Sequence, residues 1–357
     1  MLTTEKPNIS IVKSETSKLV ESDPSDLIFG KDFTDHMAIC EFRNGSWGPM
    51  SIVPYGDISM NPGTSTLHYG QSVFEGMKAY KDKGGRVRLF RPTENARRIN
   101  ISAQRLCMPE IPEEMFMTAL TELIRLDAKW VPAKEGCSLY IRPFIFADEV
   151  FLGVKPSTKY KFMIICSPAS NYYKGPVRVR VERQYSRAVE GGVGYAKAAG
   201  NYAAALYPSS LAAKEGYQQL IWTDSREHKY IEEAGTMNVM FVFGDVLVTP
   251  SVENETILAG ITRDSVIHLA KDLGYKVEER KISVDELVEA HKAGQLNDAF
   301  GMGTAANITI IESIGVDGID LSLPPVEQRT VSTKIAKTLS DIKYGNIKDP
   351  YGWIEEI

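Results

Sequence analysis

Apolar positions along the chain recur with two periods, and together they predict an interleaving of strands and helices. Residues 1–30 are polar and irregular and read as an arm. Short apolar runs then predict strands at Ile39–Phe42, Val73–Tyr80 and Val87–Phe90, around a turn at Gly84-Gly85. Ala96, Ile99, Ala103 and Leu106 fall at helical spacing behind Thr93 and Glu94, which suit a helix start. A second helix is expected before Gly136, then strands at Ser138–Phe146 and Tyr160–Cys166. Ser167–Pro176 carries Pro, Ser, Asn and Gly and has no period. Beyond it, Val177, Val179 and Val181 alternate with Arg178, Arg180 and Glu182, a strand with one wet face. The glycine-rich run Gly191–Gly200 leads into an alanine-rich helix from about Tyr202. Asn238–Phe243 and Val246–Thr249 flank Gly244-Asp245 as a hairpin. Helices at Thr262–Leu273 and Val284–Ala293 are closed by Gly274 and Gly294, and an amphipathic C-terminal helix is expected at about Val326–Ile342.

The pattern predicts an α/β (α+β) protein of two mixed domains. Its parts are an arm at 1–30, a smaller α/β domain at 31–167, an interdomain loop at 168–176 and a larger α/β domain at 177–357. A length of 357 residues suits two domains, each with its own core. Net charge is -5, and the basic runs are short and mixed with acids, which argues against nucleic acid as a partner. Four scattered cysteines without a C-x-x-C pair argue against a disulfide framework or a structural metal site. The start of the chain lacks an apolar signal region, and no run approaches the roughly 18 apolar residues of a membrane span, so a cytoplasmic protein without a membrane partner is expected.

Two glycine clusters invite a nucleotide reading and fail it. Gly70 and Gly76 are spaced wrongly for a P-loop, and lysine does not follow the second glycine directly. Gly191-Gly192-Val193-Gly194 misses the dinucleotide fingerprint and trails its strand by a long gap.

The stronger chemical signal is Lys197, in Gly194-Tyr195-Ala196-Lys197-Ala198-Ala199-Gly200-Asn201-Tyr202. Most lysines are solvated surface groups. This one has small neighbours that would admit a flat molecule, and no acid lies within six residues. A lysine that attacks an aldehyde must be neutral, which a tight apolar setting favours.

The run Gly191–Tyr202 resembles the lysine loop of branched-chain aminotransferases, members of the fold-type-IV family of pyridoxal-phosphate enzymes. Further blocks agree in order and spacing: Phe33–Met37, Tyr69–Tyr80, Phe90-Arg91-Pro92 with Arg98, Leu139–Pro143, Glu233–Asn238, Leu258–Arg263 and Gly301–Ala305. The resemblance spans about residues 30–315. It implies pyridoxal 5'-phosphate as cofactor, Lys197 as the catalytic Schiff-base lysine, Tyr202 at the ring's phenolic oxygen and Glu233 at its pyridine nitrogen. Glu232 beside it reads as a solvated strand acid. Arg98 is implied as a phosphate ligand, because a guanidinium fork matches phosphate oxygens, and Gly260-Ile261-Thr262 as a helix start that favours a dianion. Thr236, Leu258, Gly303 and Thr304 complete the implied cofactor set.

Tyr140 and Arg142, two apart in a strand, share a face. The resemblance gives them the substrate carboxylates, with Thr304 and Ala305. Phe33, Tyr69, Phe74 and Tyr172 would line the apolar pocket, with Leu152 and Val154 from the partner subunit of a homodimer. The implied reaction moves amino groups from leucine, isoleucine or valine to 2-oxoglutarate by a ping-pong mechanism. A D-amino-acid aminotransferase or an aminodeoxychorismate lyase would share Lys197 and Glu233, and a non-catalytic binding protein on the same fold stands as the rival from another class.

Overall fold

The computed structural model describes residues 9–19, 24–170, 173, 175–305 and 307–357. It divides into two compact units, one made of residues up to 172 with 196–200 and 341–357, the other of 173–195 and 201–340. The division is not a single cut along the chain, since 196–200 and 341–357 group with the first unit. The short segment around Lys197 is bound into the first unit by its backbone: Phe74 N–H donates to Lys197 O at 3.1 Å, and Val73 bridges to Ala198. The chain end joins the same unit because Ile354–Glu356 adds antiparallel to Val87–Phe90.

In the first unit, a largely antiparallel sheet runs in the order Ile9–Ile11, Met50–Pro54, His36–Arg43, Tyr160–Ala169, Ser138–Ala147, Met77–Lys81, Val87–Phe90, Ile354–Glu356. Its centre is the ten-residue pairing from Ser138↔Ala169 to Ala147↔Tyr160. The helices Pro92–Arg105 and Glu113–Leu126 bury Ile99, Ala103, Phe116, Leu120 and Leu123 in one core with Leu139, Ile141, Phe162 and Ile164. Residues 9–18 of the expected arm are tied down rather than loose. Ile9–Ile11 pairs parallel with Met50–Ile52, Ser14 N–H donates to His36 Nε2, and Asp35 takes bonds from Ser17 Oγ and Lys18 N.

The second unit holds a mixed sheet, ordered Ile231–Ala234, Gln219–Thr223, Val177–Val181, Asn307–Val316, Leu296–Gly303, Asn238–Phe243, Val246–Thr249, Lys276–Glu279. The hairpin strands stand where the apolar runs put them, and Gly244 takes the left-handed conformation at their turn. The helix Ala199–Lys214 begins three residues before the expected Tyr202, and the C-terminal helix, Thr330–Lys343, is preceded by a short 3-10 turn at Val326–Gln328. The strand Leu296–Gly303 escapes a sequence reading because it carries Asn297, Asp298 and two glycines, all poor strand formers. At Gly301 the Met237 side chain packs close, with Cε 2.7 Å from where a Cβ would stand. Among the described residues no helix is long and apolar enough to cross a membrane.

The run expected as one strand, Val73–Tyr80, is two: Ser72–Phe74 and Met77–Lys81. Glu75 and Gly76 break it. The Glu75 side chain turns inward and is fully buried, and a Cβ at position 76 would stand 2.2 Å from the Tyr140 hydroxyl.

Lys78 and Lys343 are both buried in the first unit, with Lys343 Nζ 4.7 Å from the Phe90 ring centre. Burial lowers Lys78 to about 8; burial and the neighbouring Lys78 lower Lys343 to about 7. An unfolded chain, whose lysines titrate near 10.5, therefore binds more protons than the folded one between about pH 7 and 10.5. The penalty of charging these groups is greatest at low pH and is relieved as pH rises through that window, so stability should climb there. Melting curves from pH 6.5 to 9.5 should show this climb in the wild type and a flatter one in Lys343→Met, which should be the more stable of the two near pH 7. Parallel curves would rule out this origin.

Candidate active site

In the first unit, Lys197 sits half-buried with Nζ 5.0 Å from the Phe74 ring centre. Its backbone is fixed on both sides, since Lys197 N–H also donates to Ser102 Oγ at 2.9 Å. Although no acid is near Lys197 in sequence, the fold supplies one, because Glu75 lies within electrostatic reach of it. Glu75 accepts from Arg98 Nε at 2.7 Å and Nη2 at 2.9 Å, and from Asn95 Nδ2 at 2.7 Å. Burial, the largest influence on its carboxyl, pushes the pKa up, but Arg98, Lys197 and Asn95 together outweigh it and hold the group below the usual range. Arg98 is thus a buried, oriented guanidinium, while its neighbour Arg97 is the solvated one, paired with Glu94 and Glu113. Sequence reasoning misses Glu75, whose value depends on partners far along the chain.

Tyr140 and Arg142 do share a face of the strand Ser138–Ala147. Arg142 Nη2 donates to the Tyr140 hydroxyl at 3.0 Å, and its guanidinium carbon lies 4.5 Å from the Phe74 ring centre. Phe74, Tyr140, Arg142 and Lys197 are therefore linked by contacts within one unit. Phe33 is placed differently, stacked flat on Tyr55 at 4.7 Å between centres. The ring that meets Tyr140 is Phe29, edge-on at 4.7 Å, a residue the sequence pattern leaves in the arm. Tyr69 is half exposed and donates its hydroxyl to Leu152 O; Leu152 is 61% and Val154 85% exposed. Tyr172 lies outside the described residues.

In the second unit, Glu233 stands on the strand Ile231–Ala234, buried. Its Oε1 accepts from Leu258 N–H at 2.7 Å, and its Oε2 lies 3.1 Å from Arg187 Nε. Glu232 is also buried rather than solvated. Burial raises its pKa, with repulsion from Glu233 acting in the same direction, because both faces of this strand are covered. Thr236 is exposed in the turn after the strand, closed by paired Ala234 and Met237 backbone bonds. Asn238 Nδ2 donates to Leu258 O at 2.9 Å, and a Cβ on Gly260 would stand 1.9 Å from Asn238 Oδ1. Gly260 is the N-cap of the helix Ile261–Asp272 and brings no side chain of its own to cap it, and the dipole at a helix start favours negative charge. Thr262 is buried in its first turn. Gly303, Thr304 and Ala305 follow one another at the end of Leu296–Gly303, and Tyr202 is half-buried near the start of Ala199–Lys214.

The donor chemistry fits pyridoxal 5'-phosphate: a half-buried amine, a buried carboxylate beside a cation, an oriented arginine and a helix start capped by glycine. Each of these groups suits the cofactor of a vitamin B6 enzyme of the amine-transferring kind. The chain belongs to the class IV amino-transferases, whose family model matches residues 72–314. It is 45% identical to the branched-chain-amino-acid transaminase 1 of Bacillus subtilis over 94% of this chain and 95% of that one. It is similar in structure to the branched-chain amino acid aminotransferase of Escherichia coli, with a TM-score of 0.70 at 32% identity, covering 89% of this chain and 98% of that chain. A branched-chain amino acid aminotransferase from T.th., solved with pyridoxamine 5'-phosphate, gives 0.71 at 26% identity, covering 88% and 97%.

Proposed function

We propose that this enzyme transfers amino groups from leucine, isoleucine and valine to 2-oxoglutarate, yielding branched 2-oxo acids and L-glutamate by a ping-pong mechanism. The observation that carries the substrate reading is the hydrogen-bonded Tyr140–Arg142 pair packed against Phe74, in the unit that carries Lys197. An aromatic wall suits a branched aliphatic side chain, and a hydroxyl–guanidinium pair suits a carboxylate.

Lys197 would hold the cofactor covalently, with Tyr202 at its phenolic oxygen and Glu233 at its ring nitrogen. Arg98, the helix start Gly260-Ile261-Thr262, Gly303 and Thr304 would take the phosphate, with Leu258 and Thr236 flanking. Bound there, pyridoxal phosphate would supply the electron sink that a carbanion at the substrate α-carbon requires. Lys197 Nζ takes the α-proton and returns it, as general base and then acid. Tyr140 and Arg142, with the amides of Thr304 and Ala305, hold the carboxylates. By the family resemblance Phe33, Tyr69, Phe74 and Tyr172 would line the pocket for the aliphatic part, and Phe29, edge-on to Tyr140, would add a further ring. Leu152, whose carbonyl takes the Tyr69 hydroxyl, and the exposed Val154 would serve the partner's site in a homodimer.

A kinetic panel tests this directly. With 2-oxoglutarate, L-leucine, L-isoleucine and L-valine should turn over at least about tenfold faster than D-alanine, which matches the discrimination a shaped pocket supplies. Pyruvate release from aminodeoxychorismate should not be measurable. Preference for D-alanine, or lyase activity, would move the enzyme to another branch of the family.

A further inference from the structure

The geometry points to Arg187 as a positioning residue for the cofactor: its guanidinium pairs with the Glu233 carboxylate and anchors the loop leading to Lys197 at the same point. This rests on the reading above, in which Glu233 meets the ring nitrogen. Arg187 is nine-tenths buried, with Nε 3.1 Å from Glu233 Oε2. The N–H does not point along that oxygen, so the contact is an ion pair rather than a hydrogen bond. The same guanidinium donates through Nη2 to Gly194 O at 3.0 Å and to Thr256 O. One side chain thus joins the Glu233 strand, the loop three residues before Lys197 and the segment ahead of Leu258.

Two further observations support it. Gly194 has no room for a side chain, since a Cβ would stand 2.5 Å from Thr256 O and 2.7 Å from Ala188 Cβ, so the loop is closed onto the point where Arg187 grips it. Glu232 and Glu233 are consecutive buried acids, yet the close ion pair of Arg187 is with Glu233. Glu232 Oε2 has no hydrogen-bond partner, and burial favours its protonated form. Burial thus disfavours charge on Glu232, while the close cation stands against Glu233.

The chemical consequence follows from a shared proton. A carboxylate facing a pyridine nitrogen can exist as an ion pair, with the proton on nitrogen, or as a neutral pair, with the proton on oxygen. A fixed cation beside the carboxylate favours the ion pair, and only that form leaves the ring positively charged and strongly electron-withdrawing.

The test compares holoenzymes of wild type, Arg187→Gln, Arg187→Lys and Glu232→Gln by titrating the visible absorbance of the bound cofactor from pH 5 to 10. Loss of a nearby positive charge should raise the pH at which the long-wavelength band disappears by about one unit or more in Arg187→Gln. Its kcat should fall by roughly 10- to 100-fold, with KM for leucine changed less than about threefold. Arg187→Lys should return the midpoint to within about half a unit of wild type, and Glu232→Gln should leave it in place. An Arg187→Gln midpoint equal to wild type, whatever the loss of activity or thermal stability, overturns the assignment. So does an Arg187→Lys midpoint displaced by a unit or more, a result available even if the glutamine variant does not fold. A wild type that binds no coloured cofactor would instead sink the proposed function itself.

Discussion

Replacing Lys197 with alanine should abolish transamination, with a fall of at least about 10⁴-fold, and should remove covalent attachment of pyridoxal phosphate at the same time. General base catalysis alone contributes roughly 10²–10⁴-fold, and loss of the covalent anchor adds to it. The two losses must coincide because the reading gives one nitrogen both tasks. The variant should nonetheless fold. What fixes this segment is main chain: the Lys197 N–H on Ser102 Oγ, the Lys197 carbonyl on Phe74 N–H and the Val73–Ala198 bridge. None of these is lost on truncation, so the melting temperature without cofactor should change by no more than about 1 kcal/mol would produce. Borohydride reduction of the wild type with pyridoxal phosphate, followed by peptide mapping, should mark Lys197. A turning-over Lys197→Ala enzyme, or a label on another side chain, would refute the assignment.

How much of this can be read from the chain depends on whether the signal is local. Lys197 and the seven further blocks are short ordered strings, so they are visible without a fold. The helices at Pro92–Arg105 and Glu113–Leu126 are equally visible, since their apolar stripes face one core. Three residues are hidden for a common reason. Glu75 lies inside an apolar run and reads as part of a strand, and its meaning comes from Arg98 and Lys197, 23 and 122 positions away. Arg187 looks like any loop arginine until Glu233 and Thr256 are brought to it. Phe29 ends a short apolar run, Leu27-Ile28-Phe29, inside the expected arm, and only the path of the chain puts it against Tyr140. Glu232 is misread because a strand acid is ordinarily solvated, whereas every residue of Ile231–Ala234 is covered. Periodicity reports burial that neighbours in sequence share, and long-range pairing lies beyond it.

Glu75→Ala should be the most destabilising single change near the site, costing about 3–5 kcal/mol, the usual penalty for leaving a buried charge without its partner. Glu75 is fully buried and takes two bonds from Arg98, whose side chain is itself only 10% exposed. Removing the carboxylate takes two hydrogen bonds and the close counter-charge from the guanidinium, and water cannot reach it fully in compensation. Removing both, as in Glu75→Leu with Arg98→Met, should cost clearly less than the sum of the two single changes, because a buried ion pair replaced by apolar side chains of similar volume is often close to neutral. Denaturant unfolding of the four cofactor-free proteins gives the coupling. At roughly 2–4 °C per kcal/mol for a unit of this size, the single variant should melt about 6–20 °C lower. Cofactor affinity separates the second task of the pair: with Nε and Nη2 committed to Glu75, Arg98 is held in one orientation. Arg98→Lys, which keeps charge without the planar fork, should weaken pyridoxal phosphate binding while losing less stability than Glu75→Ala. Additive single and double variants would mean that the two side chains are neighbours without being partners, and the break in the strand at Glu75 would then need another cause.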